Sequence, residues 1–466
     1  MSLSFPTPSP DDWRALAEKA LKDRPLESLV RMDADGLVVR PLYAAATGVE
    51  PVFAPRPSDA DGRAWDPRGL IEGDEPAAVN TAVLADLRGG AASVLLRGAV
   101  LEDSEPLGRA LDGVALEMAA VGLDAGFAGP EAANALAVAA KGSPRARLMF
   151  HLDPVSAFAE AGAAPRTLAD HLELAANTAA RHADAYPEAT LFLASGRVVH
   201  EAGGSIAQEL AFTAASAVAL TRAAVAAGLD VERALQGTVL CLAVDQEYLD
   251  GLAKVRALRL IWRSICGAFG VETPAVIEAR SSRRMLSVRD PWPNLLRLTA
   301  AGFAGAVGGA DAIVLDGFTR VQGVPDAFAR RQARNTQLVL MEEAALGRVD
   351  DPAAGSWHLD HRTRDLAQAA WAEFQMIEAE GGVIEALRGD LIQPRVERAR
   401  SALEAALERG ERQIVGVTRF VDPEPRLATA EPAPASPPSA DWTGDVCTPL
   451  KPIHLSTPFE TREASR

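Results

Sequence analysis

From residue 62 onward, short apolar runs alternate along the chain with longer segments whose apolar residues recur at helical spacing. The short runs predict eight strands, at 63–66, 93–97, 121–125, 147–152, 190–195, 238–244, 275–279 and 312–315. Helical patterns between them include 77–87, 167–185, 205–227, 246–269 and 292–307. Eight strands alternating with helices over about 280 residues favour a (β/α)8 TIM barrel. An open α/β sheet would alternate in the same way, and the pattern alone leaves that alternative open.

The segments on either side of this repeat have a different character. Residues 1–61 are predicted to be an N-terminal arm with a short amphipathic helix at 11–22, a weakly alternating stretch at 37–46 and a Pro-rich loop. The barrel is predicted to span 62–420 and to end in helices at 363–380 and 394–410. Residues 421–466 are predicted to be a Pro/Ala-rich linker and an extended tail that docks on another surface or frays.

Composition narrows the function classes. The chain has 466 residues, 48% of them hydrophobic, and a net charge of −16, which argues against a nucleic-acid or anionic-membrane surface. The N-terminal MSLSFPTPSPDDW lacks the layout of a signal or transit peptide, and no apolar run is long enough to span a bilayer. Cys241, Cys266 and Cys447 show no CxxC spacing and are predicted to be reduced thiols, which fits a cytoplasmic protein.

Four motifs, in the same order, resemble one enzyme family. They are GRVVHEAGGSIAQELAF (196–212), LAKVRALRLIW (252–262), the run from 276 through DPW to ARNTQ at 337, and VDDPAAGSWHLD (349–360). This set is similar to the substrate barrel of methylmalonyl-CoA mutase and its acyl-CoA mutase relatives, and the resemblance covers about residues 62–420. It implies a TIM barrel that binds acyl-CoA and works with adenosylcobalamin in a radical rearrangement of the carbon skeleton.

Two positions depart from the family pattern. The family's RPW-x-x-RQY segment aligns with the stretch that begins at Arg63, which places Leu70 where the family has a substrate-contacting tyrosine. Glu278 occupies the position of the histidine in the family's HCQTSG segment. The resemblance implies that this histidine donates a hydrogen bond to the thioester carbonyl. A leucine cannot hydrogen-bond a carboxylate, and an ionised glutamate accepts rather than donates. The resemblance therefore implies no catalytic residue in this barrel.

The sequence also lacks the motif with which the family binds cobalamin. The cobalamin-binding domains of the family carry D-x-H-x-x-G, and none of the seven histidines here stands two residues after an aspartate and three before a glycine. His358 and His361 flank Asp360 and are predicted to lie on a solvent-facing loop. The sequence predicts no metal and no bound cofactor, and HLSTPFETRE (454–463) resembles the segment that leads into the cobalamin domain of larger members.

Several polar clusters are open to two interpretations. Arg280, Arg283 and Arg284 follow a predicted strand and could form a residual anion site, although salt bridges within the protein or to a partner chain explain them more simply. The turn at 201–204 could cradle a phosphate or serve only as a strand-to-helix turn. Asp245 and Glu247 could be an acid/base pair or a helix cap, and the ARNTQ segment at 333–337 is predicted to be structural.

The resemblance supports three hypotheses. The first is a non-catalytic β (small) subunit of a heterodimeric methylmalonyl-CoA mutase, whose partner, the catalytic α (large) subunit, carries the adenosylcobalamin; the arm and the tail would wrap that partner. The second is an active acyl-CoA mutase barrel that uses a cobalamin domain on a separate chain. The third is a metabolite-binding or scaffold protein unrelated to the reaction.

Overall fold

The computed structural model describes residues 9–45, 52, 62–432 and 442–464. The remainder of the predicted arm, including most of its Pro-rich loop, and residues 433–441 of the predicted linker lie outside the described residues. The prediction of an alternating strand–helix repeat can be checked over the whole of 62–420.

Eight parallel strands close into a barrel, because the last strand pairs with both the first strand and the seventh. The predicted (β/α)8 barrel is confirmed, and the open-sheet alternative is wrong. An arm hairpin precedes the barrel. The strands are β1 Arg31–Met32 and β2 Val38–Val39 in the hairpin, then β3 Asp66–Glu72, β4 Ser93–Arg97, β5 Ala120–Leu123, β6 Leu148–Leu152, β7 Thr190–Ser195, β8 Thr238–Val244, β9 Val276–Ser281 and β10 Ala312–Val314.

Helices surround the barrel and cover the outer side of its strands. They are α1 Pro10–Leu21, α2 Pro76–Arg88, α3 Ser104–Ala110, α4 Gly129–Ala139, α5 Pro154–Ala161, α6 Leu168–Ala183, α7 Arg197–Glu201, α8 Ile206–Ala226, α9 Val231–Gln236, α10 Tyr248–Ala268, α11 Pro293–Gly308, α12 Ala327–Leu338, α13 Trp357–Ala379, α14 Val383–Arg388, α15 Gln393–Glu408 and α16 Thr457–Ala464.

The strands are continuously apolar because helices bury one face and the barrel interior buries the other. In β8, all seven residues of TVLCLAV are buried. The first barrel strand was predicted too early, at 63–66, because Pro67 and Gly69 read as turn residues; it runs over Asp66–Glu72 instead. Glycine is favoured at position 69 because the Cβ of any other residue would lie only 2.9 Å from the Asp86 carboxylate of α2, which is too close.

Helix α8 has 21 residues, most of which are buried. A capping box starts it: Ser205 accepts from the backbone of Gln208, whose side chain accepts from the backbone of Ser205. By length and apolar composition α8 could also cross a membrane, but 72% of its most apolar window is buried inside the protein. That burial identifies it as a core helix.

Two aspartates attach the arm hairpin to the barrel. Asp33 pairs with Arg362 of α13 at 2.5 Å, and the same guanidinium donates to Asp250 of α10 at 2.8 Å. The Asp35 carboxylate accepts from the Ala207 amide at the N-terminus of α8, with both oxygens at 3.2 Å. The hairpin is therefore held at two points, one of them an ion pair that is largely buried.

The Asp35 contact predicts a pH-dependent arm. Burial raises the pKa of Asp35 from 3.8 to about 6, and the neighbouring Asp33 raises it further against the hydrogen bonds. Because the folded pKa is the higher one, stability from the protonated form is complete below about pH 4 and is lost as pH rises through 6. After correction for the intrinsic exchange rates, we expect amide protection in Arg31–Val39 to be about tenfold lower at pH 7 than at pH 5. Asp35→Asn should remove most of this difference; equal pH dependence in both proteins would contradict the assignment.

The C-terminal tail packs on this chain's own barrel, at the end where the strands terminate. Val446 bridges to Ala163 after α5, the Leu450 amide donates to the Ala159 carbonyl at 2.7 Å, and the Ile453 amide donates to the Glu201 carbonyl at 2.9 Å. Of the two outcomes predicted for the tail, docking or fraying, residues 442–460 show docking. These contacts are all made to residues of the same chain.

Glu460 fixes the far end of the tail. Its carboxylate accepts from the amides of Val288 and Arg289 and from the Ser287 hydroxyl, at 2.9–3.0 Å. These three residues belong to the loop that follows β9. The tail thus connects loops after β6, β7 and β9 along the rim where TIM barrels carry their active sites.

Candidate functional site

The interior of the barrel is where the family's chemistry would occur. Side chains of a strand alternate between the helix layer and the barrel axis, so Arg68, Leu70 and Glu72 of β3 share the inward side, while Ile71 packs in the outer core. Strand register places Glu278 beside Cys241 of β8 and Ala312 of β10. Leu70 and Glu278, the two positions that depart from the family pattern, therefore both belong to the interior.

Glu278 lies at the centre of a charged cluster and is fully buried. Arg68 Nη1 donates to its Oε2, and Arg280 Nε donates to its Oε1 at 2.5 Å. The two guanidinium groups are themselves buried, so each needs a carboxylate partner away from water. The Glu278 carboxylate is a partner to both guanidinium groups.

The cluster continues in both directions. Arg68 also reaches Asp66 at 2.7 Å, and Arg280 reaches Asp124 at 3.0 Å, which in turn binds Arg97 at 2.6 Å. The set therefore contains three arginines and three carboxylates and is neutral overall. We call these six residues, Asp66, Arg68, Arg97, Asp124, Glu278 and Arg280, the interior ion cluster.

Electrostatics keep two carboxylates of this cluster, those of Glu278 and Asp124, ionised. Burial alone would raise the pKa of Glu278, but Arg280 and Arg68 outweigh burial and hold that pKa well below its usual range. The same balance, with Arg97 and Arg280 as the cations, holds the pKa of Asp124 well below its usual range. An ionised Glu278 has no proton to donate to a thioester carbonyl.

His151 of β6 is a further titratable group in this interior. Its backbone has a φ of +47°, and among the described residues neither ring nitrogen has a hydrogen-bond partner. Burial lowers its pKa to about 4, although Glu278 acts in the opposite direction, and the ring is therefore neutral near pH 7. The sequence gives no sign of this residue, because nothing in the LMFHL run distinguishes a histidine that faces the barrel axis from one that packs against the helices.

A small cavity lies between β3 and the helices outside it. Arg68, Leu70 and Glu72 line it together with the loop after β10 and residues of α2 and α12, and its volume is about 20 Å³, which is room for one water molecule. Arg320, another lining residue, pairs with Glu72 at 2.6 Å.

The three arginines of the predicted anion site are all engaged within the chain. Arg280 belongs to the interior ion cluster, and Arg283 Nε donates to Asp316 at 2.8 Å. Arg284 Nη1 donates to the carbonyls of His200 and Gly204, at 2.8 and 3.2 Å. This is the arrangement that the salt-bridge interpretation predicts, since each guanidinium already has acceptors.

The turn at 201–204 is shaped by packing and hydrogen bonds. The Glu201 carboxylate accepts from the amides of Arg283 and Arg284 at 3.0 Å, and such a carboxylate would repel a phosphate. Gly203 has a φ of +97°, which favours glycine, and a Cβ there would meet the Arg400 side chain at 2.7 Å. The strand-to-helix interpretation accounts for both features.

Other predicted sites have structural roles as well. Asp245 accepts from the Glu247 amide at 3.0 Å, which is a turn contact just before α10; the predicted cap is not formed, because the helix begins after Glu247 with no side-chain capping bond. Arg334 of the ARNTQ segment pairs with Asp86 of α2. The prediction of a solvent-facing loop for His358 and His361 is wrong: both lie on the first turns of α13, where their rings contact Tyr43 of the arm.

Two of the family motifs meet in a buried ion pair that the sequence did not reveal. Lys254 Nζ of the AKVRA motif donates to Glu209 Oε2 of the QELAF motif at 2.7 Å, and Glu209 Oε1 accepts from the Ala243 amide at 2.6 Å. Both side chains are almost fully buried. These motif residues hold α8 and α10 against β8, and only the fold brings them together, because they are 45 residues apart in the sequence.

Two histidines at the rim of the barrel make contacts within the chain. At the rim His200 Nε2 is 2.8 Å from the Ser282 hydroxyl, and His454 Nδ1 is 3.3 Å from the Arg283 carbonyl. His151 lies in the barrel interior beside Glu278, and tail residues 444–456 line one side of the rim. No group of three or more His, Cys, Asp or Glu in the described part of the chain is arranged to hold a metal ion.

Comparison with known proteins adds independent support. The family model described as methylmalonyl-CoA mutase matches residues 83–436. The chain is 36% identical to the methylmalonyl-CoA mutase small subunit of Streptomyces virginiae, over 94% of this chain and 74% of that protein. It is 31% identical to the small subunit of Propionibacterium freudenreichii subsp. shermanii, over 93% and 72%, and 29% identical to a methylmalonyl-CoA mutase of Cereibacter sphaeroides, over 91% and 65%. The motifs, the closed barrel and these matches agree, and the chain belongs to the methylmalonyl-CoA mutase family.

Proposed function

We propose that this chain is the non-catalytic small subunit of a cytoplasmic, adenosylcobalamin-dependent methylmalonyl-CoA mutase built from two unlike chains. The catalytic large subunit carries the cofactor and interconverts methylmalonyl-CoA and succinyl-CoA. The present chain contributes a folded barrel that stabilises the assembly. The complex is an isomerase, and this chain is one of its subunits.

The interior ion cluster is the observation that carries the proposal. A thioester threaded along the barrel axis would have to displace Arg68 and Arg280 from Glu278 and strand buried charges, which costs several kcal/mol per ion. Leu70 offers a substrate carboxylate no hydrogen bond. Five of the relatives found are named small subunits or probable small subunits, which supports a role beside a larger chain.

The second candidate function is an active acyl-CoA mutase barrel whose cobalamin domain is on another chain. It keeps the same fold and the same motifs, and it differs in requiring this barrel to bind acyl-CoA. The ionised Glu278, paired with Arg68 and Arg280 inside the barrel, favours the first candidate. The third, a scaffold outside the reaction, predicts no association with a mutase chain.

Expression with and without the large subunit of the same organism separates these functions. We expect the purified chain with adenosylcobalamin to show no turnover of methylmalonyl-CoA and no calorimetric binding of the thioester at millimolar concentration. With the large subunit it should co-purify at a one-to-one ratio in an active complex. Turnover by the chain alone would reject the first proposal in favour of the second, and failure to co-purify would favour the third.

A further inference from the structure

Four large apolar side chains line an open groove where the arm meets the starts of α10 and α13. They are Leu29, Leu42, Leu249 and Trp357, and each is 39–52% exposed. The groove has a volume of about 640 Å³. We call it the arm groove; it lies far from the interior ion cluster, on the outside of the helix layer.

The walls of the arm groove are held in place. Arg362, almost fully buried, binds Asp250 on one wall and Asp33 of the arm on the other. The Tyr43 ring contacts His358 with centroids 4.9 Å apart. Because the arm is fastened to both helices, the groove is a preformed site and loses little entropy when it is filled.

The charge of the arm groove indicates the chemistry of its occupant. Arg31 and Arg40 line it, both exposed, and neither forms an ion pair with any carboxylate among the described residues. The groove's own carboxylate, Asp250, is already bound to Arg362. On a chain with a net charge of −16, this is a local positive site that favours a carboxylate next to apolar groups.

The surroundings indicate that the occupant is a macromolecule. Met32 and Val38 pair across the hairpin on the face opposite Val39 and are also exposed, so a small molecule in the groove would leave them uncovered. Helix α1 has a capping box but no buried residue, and a helix of 12 residues is marginal without packing. Leu16 of α1 is 68% exposed. The arm as a whole presents apolar surface that requires a larger partner.

We propose that the arm groove receives a segment of the large subunit that carries apolar side chains beside a carboxylate. This inference rests on the proposed function and identifies the surface by which the two chains recognise each other. Leu42 and Trp357 provide the apolar contact, and Arg31 and Arg40 bind the carboxylate and set the orientation of the segment.

Binding of the purified large subunit to variants of the full chain tests the inference. We expect Leu42→Glu to weaken the complex about thirtyfold and Arg31→Glu about tenfold, with a smaller salt dependence for the latter. The matched control is Met118→Glu, at an apolar position that is 77% exposed before β5 and remote from the arm; its affinity should equal that of the unmodified chain. Thermal midpoints establish that each variant folds, and Arg31→Glu, at an exposed side chain, decides the matter if Leu42→Glu does not.

The outcomes separate this inference from the proposed function. If the unmodified chain binds the large subunit and both groove variants bind as tightly as Met118→Glu, the arm groove is not the interface, although the proposed function stands. If the unmodified chain does not bind the large subunit at all, the proposed function fails first. If Leu42→Glu instead abolishes self-association of this chain in sedimentation, the occupant is a second copy and the assignment to the large subunit is overturned.

Discussion

Replacing Glu278 by glutamine is expected to destabilise the protein by about 3–5 kcal/mol, the usual cost of removing one partner from a buried ion pair. Glutamine has nearly the same shape, so the loss is not one of volume. It leaves three guanidinium charges, of Arg68, Arg97 and Arg280, with only the carboxylates of Asp66 and Asp124 to balance them. Urea unfolding with linear extrapolation measures the effect.

The Glu278 prediction has a pH signature as well. The folded pKa lies below the ordinary value of 4.5, so the stabilisation is present above that value and is lost as pH falls below it. Glu278→Gln should therefore flatten the acid limb of stability against pH. The matched control is Glu411→Gln, which removes a carboxylate from an exposed pair with Arg409 and should leave the unfolding midpoint unchanged. Equal midpoints for both variants would mean that the interior ion cluster does not stabilise the fold.

The barrel was predictable because its signals are local. Each strand is an apolar run of the right length, and the helices carry caps and helical periodicity that can be read within a few residues. The first barrel strand shows the limit of this method. Pro67 and Gly69 are residues that usually occur in turns. In this structure β3 pairs with β4 on one side and with β10 on the other, and the two residues are tolerated within the strand. The residues around them give no sign of this pairing.

The interior ion cluster could not be predicted because its members are distant in sequence. Asp124 follows β5, Arg68 is on β3 and Glu278 is on β9, and only the closed barrel brings them within hydrogen-bond distance. The sequence did indicate that position 278 was unusual, through the resemblance. It gave no distance from which to decide whether the glutamate is protonated and able to donate or ionised and paired.

The tail illustrates a different limit. Its residues have little periodicity, and their backbone is held mainly by hydrogen bonds to carbonyls and amides of the barrel loops, which any side chain permits. Glu460 is the exception, since its carboxylate caps the loop at Val288 and Arg289. The sequence alone does not indicate that a single acidic residue near the C-terminus caps a distant loop.

Gly196→Ala should be the other strongly destabilising substitution, by about 3 kcal/mol or more, because overpacking at a rigid contact cannot relax. Gly196 follows β7, and a Cβ there would lie 2.2 Å from the Glu209 carbonyl and 2.3 Å from the Thr213 hydroxyl. Neither can yield without shifting α8, whose Glu209 side chain is fixed by Lys254 and by the Ala243 amide.

The contrast with a second glycine isolates this cause. Gly267, on α10, has nothing within 4 Å of an added Cβ, so Gly267→Ala should stabilise the protein by about 0.5–1 kcal/mol through the lower entropy of the unfolded chain. Opposite shifts of the urea midpoint would show that the glycine opening the GRVVHEAGG motif is required for close packing of α8. Destabilisation of similar size in both variants would trace the effect to glycine loss in general. Tolerance of alanine at 196 would place the motif's importance in chemistry, and would weaken the argument that this barrel preserves its scaffold without the reaction.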